Sequence, residues 1–391
     1  MTIEHIPDYK KAIEDAKVSC KQLVIDTPTL RRSHYDWSFQ ETDNKELIQY
    51  REKFQLERLI ENSENEWHSI RLIRNWVYMQ NSRGGGDGPA GVSMADTESL
   101  VLACNSGASF FCTYFARMMV ASCLSLGFVA RLVSIGVDFE RWGKNRGHGV
   151  CEVWVNEFKK WVLIDAHFDT HFEIKGIPLS AYEIHRAAVE GREKEVDFSK
   201  GPQGFLVDSF EVGRDWPSGG SILDTYFWHN YHLKNTPFHV SGSWDFTKYL
   251  LLVDESHDGK VWEQGKNKKH VAYKNKFIIE SNLNEVYFDV NSVYLEPNVK
   301  PKLESDRGIV VFDVGTFTPN LKCLEIQLDK SNWQPQTVWT RVQWALHKGD
   351  NSFAIRTVNK LGRRGPVTRL EANGVEYIYS KIKNNTLELQ V

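Results

Sequence analysis

The pattern of apolar and polar residues changes along this 391-residue chain. Residues 43–61 and 66–80 carry apolar side chains at helical spacing on one face, which predicts amphipathic helices in the first part of the chain. From residue 276 onward, short β-rich runs are separated by turns, for example at residues 286–290 and 310–314. The pattern therefore predicts a mainly helical beginning and an antiparallel β-sandwich at the end.

The middle of the chain carries a long, largely apolar segment from Ser109 to Leu126. Small residues alternate there with Phe, Met, Val and Leu, a composition that suits a buried helix, and Gly127 is a natural end for it. Strands are predicted after this helix at residues 150–155 and 161–164. The start of a helix followed by strands can bring side chains from all of them to one point.

Three residues of this region have the chemistry of a thiol catalyst. Cys112 falls in the first turn of the predicted helix, where unpaired backbone N–H groups and the helix dipole favour a thiolate. His148 stands at the entrance of a strand and is suited to take the thiol proton. Asp165 ends the next strand and is suited to orient the imidazole. A Cys-His-Asp triad is therefore the leading hypothesis.

Each of these residues also has a simpler interpretation. A free cysteine such as Cys112 is often a small buried hydrophobic residue. His148 can be a surface histidine at a strand end, and Asp165 can be a turn or cap residue. Arg131 is predicted to pair with a carboxylate beside the core helix, which is a structural role.

The region resembles the transglutaminase-like superfamily of papain-related thiol enzymes. That family carries Gly-x-Cys, an Ala four residues on, Leu-Gly-x-x-Ala-Arg, His-x-x-x-Glu-Val, and then Trp and Asp closing a strand. The matching residues are Cys112, Ala116, Leu126, Gly127, Ala130, Arg131, His148, Glu152, Val153, Trp161 and Asp165. The resemblance covers Leu72 to His171, and it implies an α+β papain-like catalytic core with a helix packed on an antiparallel sheet.

The sequence departs from the family pattern at three places. Phe110 stands two residues before the cysteine, where the family prefers Gly. Gly149 and Val150 follow His148 where a small residue and then Trp are frequent, and Ala166-His167 replaces Pro-Thr. The first and last of these changes affect the oxyanion hole or the loop shape, and none removes a triad residue.

A site of this kind also needs donors for an oxyanion. The backbone N–H of Cys112 can supply one. Asn105 and Ser109 lie upstream of the cysteine and are the candidates for a second, although Asn105 is equally suited to end the preceding helix.

A competing motif places His167 and His171 four residues apart, a spacing that can bind zinc on a helix. The metalloprotease signature needs Glu directly after the first histidine, and Phe168 stands there. The segment is predicted instead to be a loop beside Asp165 that lines the cleft. No metal or cofactor is predicted from the sequence.

The stretch from Trp216 to Trp244 is rich in aromatic residues and histidines. Such a cluster can stack on sugar rings or on aromatic groups of a substrate, and Trp228 and His229 are the substrate-cleft candidates here, together with His167. A cluster of this kind more commonly seals a domain interface, and that interpretation is favoured.

The length predicts two or three domains. The expected parts are a helical N-terminal part of the catalytic domain (1–100), the catalytic core with its aromatic-rich extension (101–245), a connecting segment (246–275) and a β-sandwich module (276–391). The last resembles fibronectin type III or immunoglobulin-like modules, which usually orient or present a catalytic domain.

The formal net charge of −3 gives no general attraction to nucleic acid, and the sequence holds no apolar run of membrane-spanning length. No secretory signal is recognised at the start, so a cytoplasmic location is the default expectation. It becomes extracellular or periplasmic if a leader has been removed.

The resemblance implies attack of a thiol on an amide bond through a thioester acyl-enzyme. The expected activity is that of a hydrolase, a protease or amidase, in preference to amine transfer, and the substrate is a peptide, a protein or a glycoconjugate. The alternative is a catalytically silent protein that holds a glycan or a peptide on the same fold.

Overall fold

The structure is a computed structural model. It describes residues 10, 13, 18–26, 31–80, 86, 88, 91–93, 96–138, 147–207, 222–238, 249–257, 278–297, 308–337, 340–377, 379–383 and 386–390. The chain divides into two compact units. The core unit consists of residues 32–288, and the β unit consists of residues 1–31 and 289–391.

The helices are α1 (Lys45–Lys53), α2 (Leu56–Ile60), α3 (Glu66–Met79), α4 (Thr97–Asn105), α5 (Cys112–Ser125), α6 (Ala181–Val189) and α7 (Leu283–Val286). Short 3-10 turns lie at Glu193–Glu195, Ile222–Tyr226 and Glu255–His257. Among the residues that the structure describes, no helix is both long and apolar enough to cross a bilayer.

The strands are β1 (Val18–Ser19), β2 (Gln22–Asp26), β3 (Ser38–Phe39), β4 (Ala130–Gly136), β5 (Gly147–Val155), β6 (Lys160–Ile164), β7 (Thr170–Ile174), β8 (Ile177–Pro178), β9 (Asp197–Lys200), β10 (Phe205–Val207), β11 (Trp228–His232), β12 (Lys234–Asn235), β13 (Tyr249–Leu252), β14 (Ile278–Glu280), β15 (Val293–Pro297), β16 (Ile309–Thr316), β17 (Leu321–Leu328), β18 (Gln334–Gln336), β19 (Arg341–Ala345), β20 (Gly349–Asn359), β21 (Thr368–Tyr377), β22 (Tyr379–Lys383) and β23 (Thr386–Gln390).

The core unit is built on a sheet of order β14-β13-β11-β4-β5-β6 with helix α5 packed against it. From Tyr114 onward every residue of α5 is buried, because its apolar side chains meet those of the neighbouring helices and of β4, β5 and β6. A smaller sheet of order β10-β9-β7-β8 follows the last strand of this group. The combination confirms the predicted α+β class.

A buried ion pair links the elements around the sheet. Arg131 on β4 contacts Glu152 on β5 with Nη2 and Oε2 2.6 Å apart, and both side chains are fully buried. The guanidinium also donates to the Val286 carbonyl and lies 4.0 Å from the ring centre of Trp161. The second oxygen of Glu152 accepts from the Ala181 N–H at the start of α6. The predicted pairing of Arg131 with a carboxylate is confirmed, and the pair is satisfied on all sides as a buried charge requires.

Two antiparallel sheets of the β unit have the order β1-β21-β20-β17-β18, with β2 also on β21, and the order β15-β16-β19, while β22 and β23 form a separate two-stranded sheet. Leu295 and Phe312 from the smaller sheet share one hydrophobic core with Ile355 and Leu370 from the larger. Two sheets around one core form a sandwich, as the periodicity predicts. The more specific resemblance to fibronectin type III or immunoglobulin-like modules stays a prediction.

The domain boundaries differ from the expected ones at both ends. Strands β1 and β2 lie within the supposedly helical first hundred residues, yet they pair with β21 near the end of the chain (Val18 with Tyr377, Leu23 with Ala372). Strand β13 lies in the supposed connecting segment, yet it pairs with β11 on one side and with β14 on the other, which makes it an inner strand of the core sheet. Leu250 and Leu251 on this strand are fully buried. Strand β14 and α7, expected in the sandwich, belong to the core unit.

Candidate active site

Cys112 is the first residue of α5. Phe111 before it has extended backbone (φ −74°, ψ 165°), and its side chain provides no cap. The first turn of α5 therefore keeps backbone N–H groups that no capping side chain has taken, and the positive end of the helix dipole lies at the sulfur. The Cys112 side chain is half-buried.

Strand β5 touches this helix start. The backbone N–H of Gly149 donates to the Cys112 Sγ over 3.1 Å. A Cβ on Gly149 would lie 2.7 Å from both the Cα and the Oγ1 of Thr113, closer than real Cβ atoms approach. Glycine at 149 is thus what allows the strand to reach the thiol.

His148 and Asp165 complete the predicted constellation. The Nε2 of His148 lies 2.7 Å from the Oδ2 of Asp165, and the imidazole also makes a hydrogen bond with the Cys112 thiol. Asp165 is fully buried and His148 nearly so. The structure therefore brings together all three residues that the sequence singles out.

The electrostatics of this group favour a thiolate beside an imidazolium. Burial raises the pKa of the Cys112 thiol, but the charge and hydrogen bond of His148, together with the Gly149 N–H, hold that pKa below its ordinary value. Burial lowers the pKa of His148, yet the charges of Asp165 and Cys112 raise it well above its usual range. Burial also raises the pKa of Asp165, and the His148 charge and hydrogen bond keep it lowered overall.

The turn after β6 fixes the Asp165 carboxylate. Its Oδ1 accepts from the backbone N–H of His167 at 3.0 Å and of Phe168 at 3.3 Å. The backbones of Asp165 and Thr170 exchange two hydrogen bonds of 3.0 Å, which closes the turn. One carboxylate oxygen is therefore held by the turn and the other is directed to His148.

Helix α3 supports this turn from the other side. Arg74, fully buried, donates from Nε to the Oδ1 of Asp169 at 2.8 Å and from Nη2 to the Gly201 carbonyl at 2.8 Å. Asn75 donates to the other Asp169 oxygen at 2.7 Å. Asp169 has a left-handed backbone (φ 56°), which few residues other than glycine adopt and which these contacts stabilise. Sequence reasoning missed this support, because Arg74 and Asn75 resemble ordinary polar residues of an amphipathic helix.

The His167–His171 pair is not helical, as expected. His167 lies in the turn, where its ring stacks on Phe115 with ring centres 5.0 Å apart and is 5.9 Å from the His148 ring. His171 lies in β7, and its nitrogens contact Arg74 Nη1 at 2.6 Å and Glu173 Oε1 at 2.5 Å. The two histidines contact different residues, so they do not form the pair of metal ligands that their spacing allows.

Trp228 and His229, the other cleft candidates, lie in β11 and are buried. Trp228 contacts His257 with ring centres 4.5 Å apart, and His229 contacts His185 at 5.3 Å. Stacking on a sugar needs an exposed ring face, which side chains exposed by 3% and 0% do not offer. Their position corrects the substrate-cleft prediction and agrees with the packing alternative. Trp216 and Trp244, the ends of that aromatic stretch, lie outside the described residues.

The oxyanion candidates occupy the segment between α4 and α5. Asn105 is the last residue of α4 and is exposed, whereas Ser109 is half-buried. Phe110, the departure from the family Gly, turns into the core and is fully buried, in contact with Tyr114 at 4.8 Å between ring centres. Gly88 accommodates that ring, since a Cβ there would lie 2.1 Å from it. The roles of Asn105 and Ser109 stay predictions.

The chain is similar to known proteins over part of its length. Residues 55–166 match the family model of the transglutaminase-like superfamily. Among solved structures, a similar chain is the one described as a putative cysteine protease from Cytophaga hutchinsonii. It is 20% identical with a TM-score of 0.24, and the match spans 32% of this chain and 40% of that one. No curated protein matches the chain.

Proposed function

We propose, from the premise that residues 55–166 form a transglutaminase-like core, that this protein is a cysteine hydrolase of amide bonds. The observation that supports the proposal is the set of contacts around the Cys112 sulfur. Cys112 stands at a helix start, accepts a backbone N–H from Gly149 and shares a hydrogen bond with His148, which Asp165 holds at 2.7 Å. A simple packing cysteine has no need of this set of partners.

In the first half of the reaction, the Cys112 thiolate attacks the carbonyl carbon of an amide and forms a tetrahedral oxyanion. Backbone N–H groups at the start of α5 stabilise that negative charge. The His148 imidazolium then gives its proton to the departing amine, the C–N bond breaks, and a thioester remains on Cys112. Asp165 keeps the imidazole oriented throughout.

In the second half, neutral His148 takes a proton from a water molecule, whose oxygen attacks the thioester carbon. The C–S bond breaks, a carboxylic acid leaves, and the thiolate and imidazolium are restored. An amine in place of water would give a transferase. Hydrolysis is the proposed outcome because water is always present, whereas transfer needs an amine that competes successfully with it. The proposed substrate is a peptide, a protein or a glycoconjugate.

The test incubates a generic protein substrate, N-acetylated casein, with the full chain in the presence of a fluorescent primary amine. Mass spectrometry then measures cleaved peptide bonds, deamidated side chains and incorporated amine. Wild type is expected to cleave or deamidate, and Cys112→Ala to do neither, while Cys323→Ala, which changes a half-buried cysteine of the β unit, retains activity. Incorporation of the amine as the main product would contradict the hydrolase assignment. Equal products from wild type and Cys112→Ala would contradict the thiol mechanism.

A further inference from the structure

A second group of titratable side chains lies in the core unit and takes no part in the proposed reaction. It consists of His185 on α6, and of Asp254 and His257 in and beside the 3-10 turn that follows β13. One nitrogen or oxygen from each lies within 4.8 Å of those from the other two. The three side chains are between 1% and 8% exposed.

Hydrogen bonds orient the His257 ring. Its Nε2 lies 2.8 Å from the Phe227 carbonyl, which can only accept, so Nε2 carries a proton. Its Nδ1 lies 3.0 Å from the Asp254 backbone nitrogen and 2.9 Å from the Asp254 Oδ1. The imidazole and the carboxylate therefore face each other, and a cation that replaces a proton between them would be held by both groups.

The Phe227 contact has a further consequence. Histidine ligands of metals usually give their other N–H to a carbonyl or a carboxylate, which fixes the ring for coordination. His257 has this arrangement with Nδ1 as the coordinating atom. Asp254 is held in the same way, since the Ser256 N–H donates to its Oδ1 at 2.9 Å.

His185 faces the other oxygen of the same carboxylate. Its Nε2 lies 3.3 Å from the Asp254 Oδ2 and 3.0 Å from the Ser256 hydroxyl. Its Nδ1 is buried and makes no hydrogen bond with the described residues. The ring also lines a cavity of about 70 Å³, which has room for the water that would accept an Nδ1 proton once Nε2 binds a metal.

A third imidazole stands next to these three side chains. His229 is fully buried, with its ring centre 5.3 Å from that of His185. Neither of its nitrogens reaches hydrogen-bonding geometry with any residue that the structure describes, although the Ala181 backbone is close. An imidazole buried in this way normally has a partner. It lies beside the group and is the candidate for a further ligand.

We propose that His185, Asp254 and His257 form a binding site for a divalent transition metal of the zinc class, with His229 as the additional ligand. Two or three imidazoles and one carboxylate suit zinc, which takes four such ligands. The Arg186 guanidinium also contacts the Asp254 Oδ2, at 3.3 Å, so the metal shares that carboxylate with a cation. The site ties α6 to the turn after β13, and its proposed role is structural. It stands independently of the thiol chemistry.

The experiment uses the full chain, freed of metal by a chelator and then titrated with Zn²⁺ by calorimetry. Wild type is expected to bind one Zn²⁺ per chain and to melt at a higher temperature when it is bound. His257→Gln and Asp254→Asn should each lose at least about tenfold in affinity, since even outer-shell changes at metal sites cost roughly 10–100-fold. Far-UV circular dichroism of the metal-free variants checks their folding. Two variants are used so that the test still stands if one of them does not fold.

The matched control is His347→Gln, which changes a histidine in an exposed contact with Asp329, 3.1 Å away in the β unit. It should bind Zn²⁺ as wild type does. Absence of stoichiometric binding in wild type would overturn the proposal. Unchanged affinity in both His257→Gln and Asp254→Asn, or an equal loss in His347→Gln, would overturn it as well.

Discussion

The backbone N–H of Gly149 donates to the sulfur of Cys112, and the same glycine approaches the backbone of the next residue, Thr113, too closely to carry a Cβ. Helix α5 and strand β5 therefore meet at the thiol itself. The contact holds the thiol beside His148, the neighbour of Gly149.

Gly149→Ala should separate the strand from the helix start. The added Cβ would meet Thr113 atoms at 2.7 Å, so we expect a loss of about 1–3 kcal/mol in the free energy of unfolding, as for overpacked cores. The Cys112 thiol should also label more slowly with iodoacetamide at neutral pH. Gly147→Ala is the control, because a Cβ there comes no nearer than 3.5 Å to the Ile135 carbonyl. Equal behaviour of the two variants would show that the close approach is unimportant.

Asp165→Asn should disturb the imidazole although it preserves the shape of the side chain. Two backbone N–H groups donate to the Asp165 Oδ1, so an amide that turns its oxygen to them presents its NH₂ to His148. The Nε2 of His148 would then accept a hydrogen bond, and the ring proton would move to the other nitrogen, which must be free to take the thiol proton. The same change in a serine-protease triad costs about 10⁴-fold in kcat. We expect at least a tenfold slower labelling of Cys112 at pH 7, about the smallest effect consistent with this role.

Asp313→Asn is the control for that substitution, since Asp313 forms an exposed contact with Arg341. It should leave the labelling rate unchanged. A wild-type rate in Asp165→Asn would mean that the carboxylate does not set the state of His148.

Arg74→Ala should destabilise the turn beneath the site. It leaves Asp169, which is 2% exposed, without its main charge partner, and breaking a buried pair costs about 3–5 kcal/mol. Denaturant unfolding measures this loss. Arg341→Ala removes one partner of an exposed pair and should cost at most about 1 kcal/mol. Similar losses in the two variants would contradict the supporting role of Arg74.

His171 should make stability depend on pH. Burial lowers its pKa from 6.5 to about 4 in the folded protein, so the unfolded chain binds the proton more readily. The stabilisation is complete above pH 6.5 and is lost as the pH falls toward 4. The advantage of wild type over His171→Gln in unfolding free energy should shrink over this interval by up to about 3 kcal/mol, because the pKa falls from 6.5 to about 4 on folding. A difference that does not change with pH would contradict a neutral buried imidazole.

The three residues of the proposed triad could be placed together from the sequence because each stands at the end of an element whose pattern is clear. Cys112 begins a long apolar helix, and His148 and Asp165 lie at the ends of strands. Arg74 and Asp169 could not be found in this way. Their contact joins residues 95 positions apart, and local patterns carry no information about such a pair.

The same limit applies to the fold. The apolar run from Val286 to Val290 predicts a strand, but Val286 ends helix α7 and the residues after it form no strand. Their apolar side chains are buried by the tertiary contacts of the loop, not by a sheet. Strands β1 and β2 pair with β21, more than three hundred residues away, and no periodicity in the first thirty residues reports that pairing.

The thiolate–imidazolium pair can be tested through the rate of iodoacetamide labelling at each cysteine as a function of pH, read by peptide mass spectrometry. Wild type and His148→Ala are compared, with Cys104, whose pKa burial raises to about 11, as the internal reference. We expect wild-type Cys112 to label with a midpoint below the usual thiol pKa of about 8.5. In His148→Ala that midpoint should rise, because the burial of the thiol is no longer offset. A wild-type midpoint at or above the ordinary value, or one unchanged without His148, would contradict the thiolate–imidazolium pair.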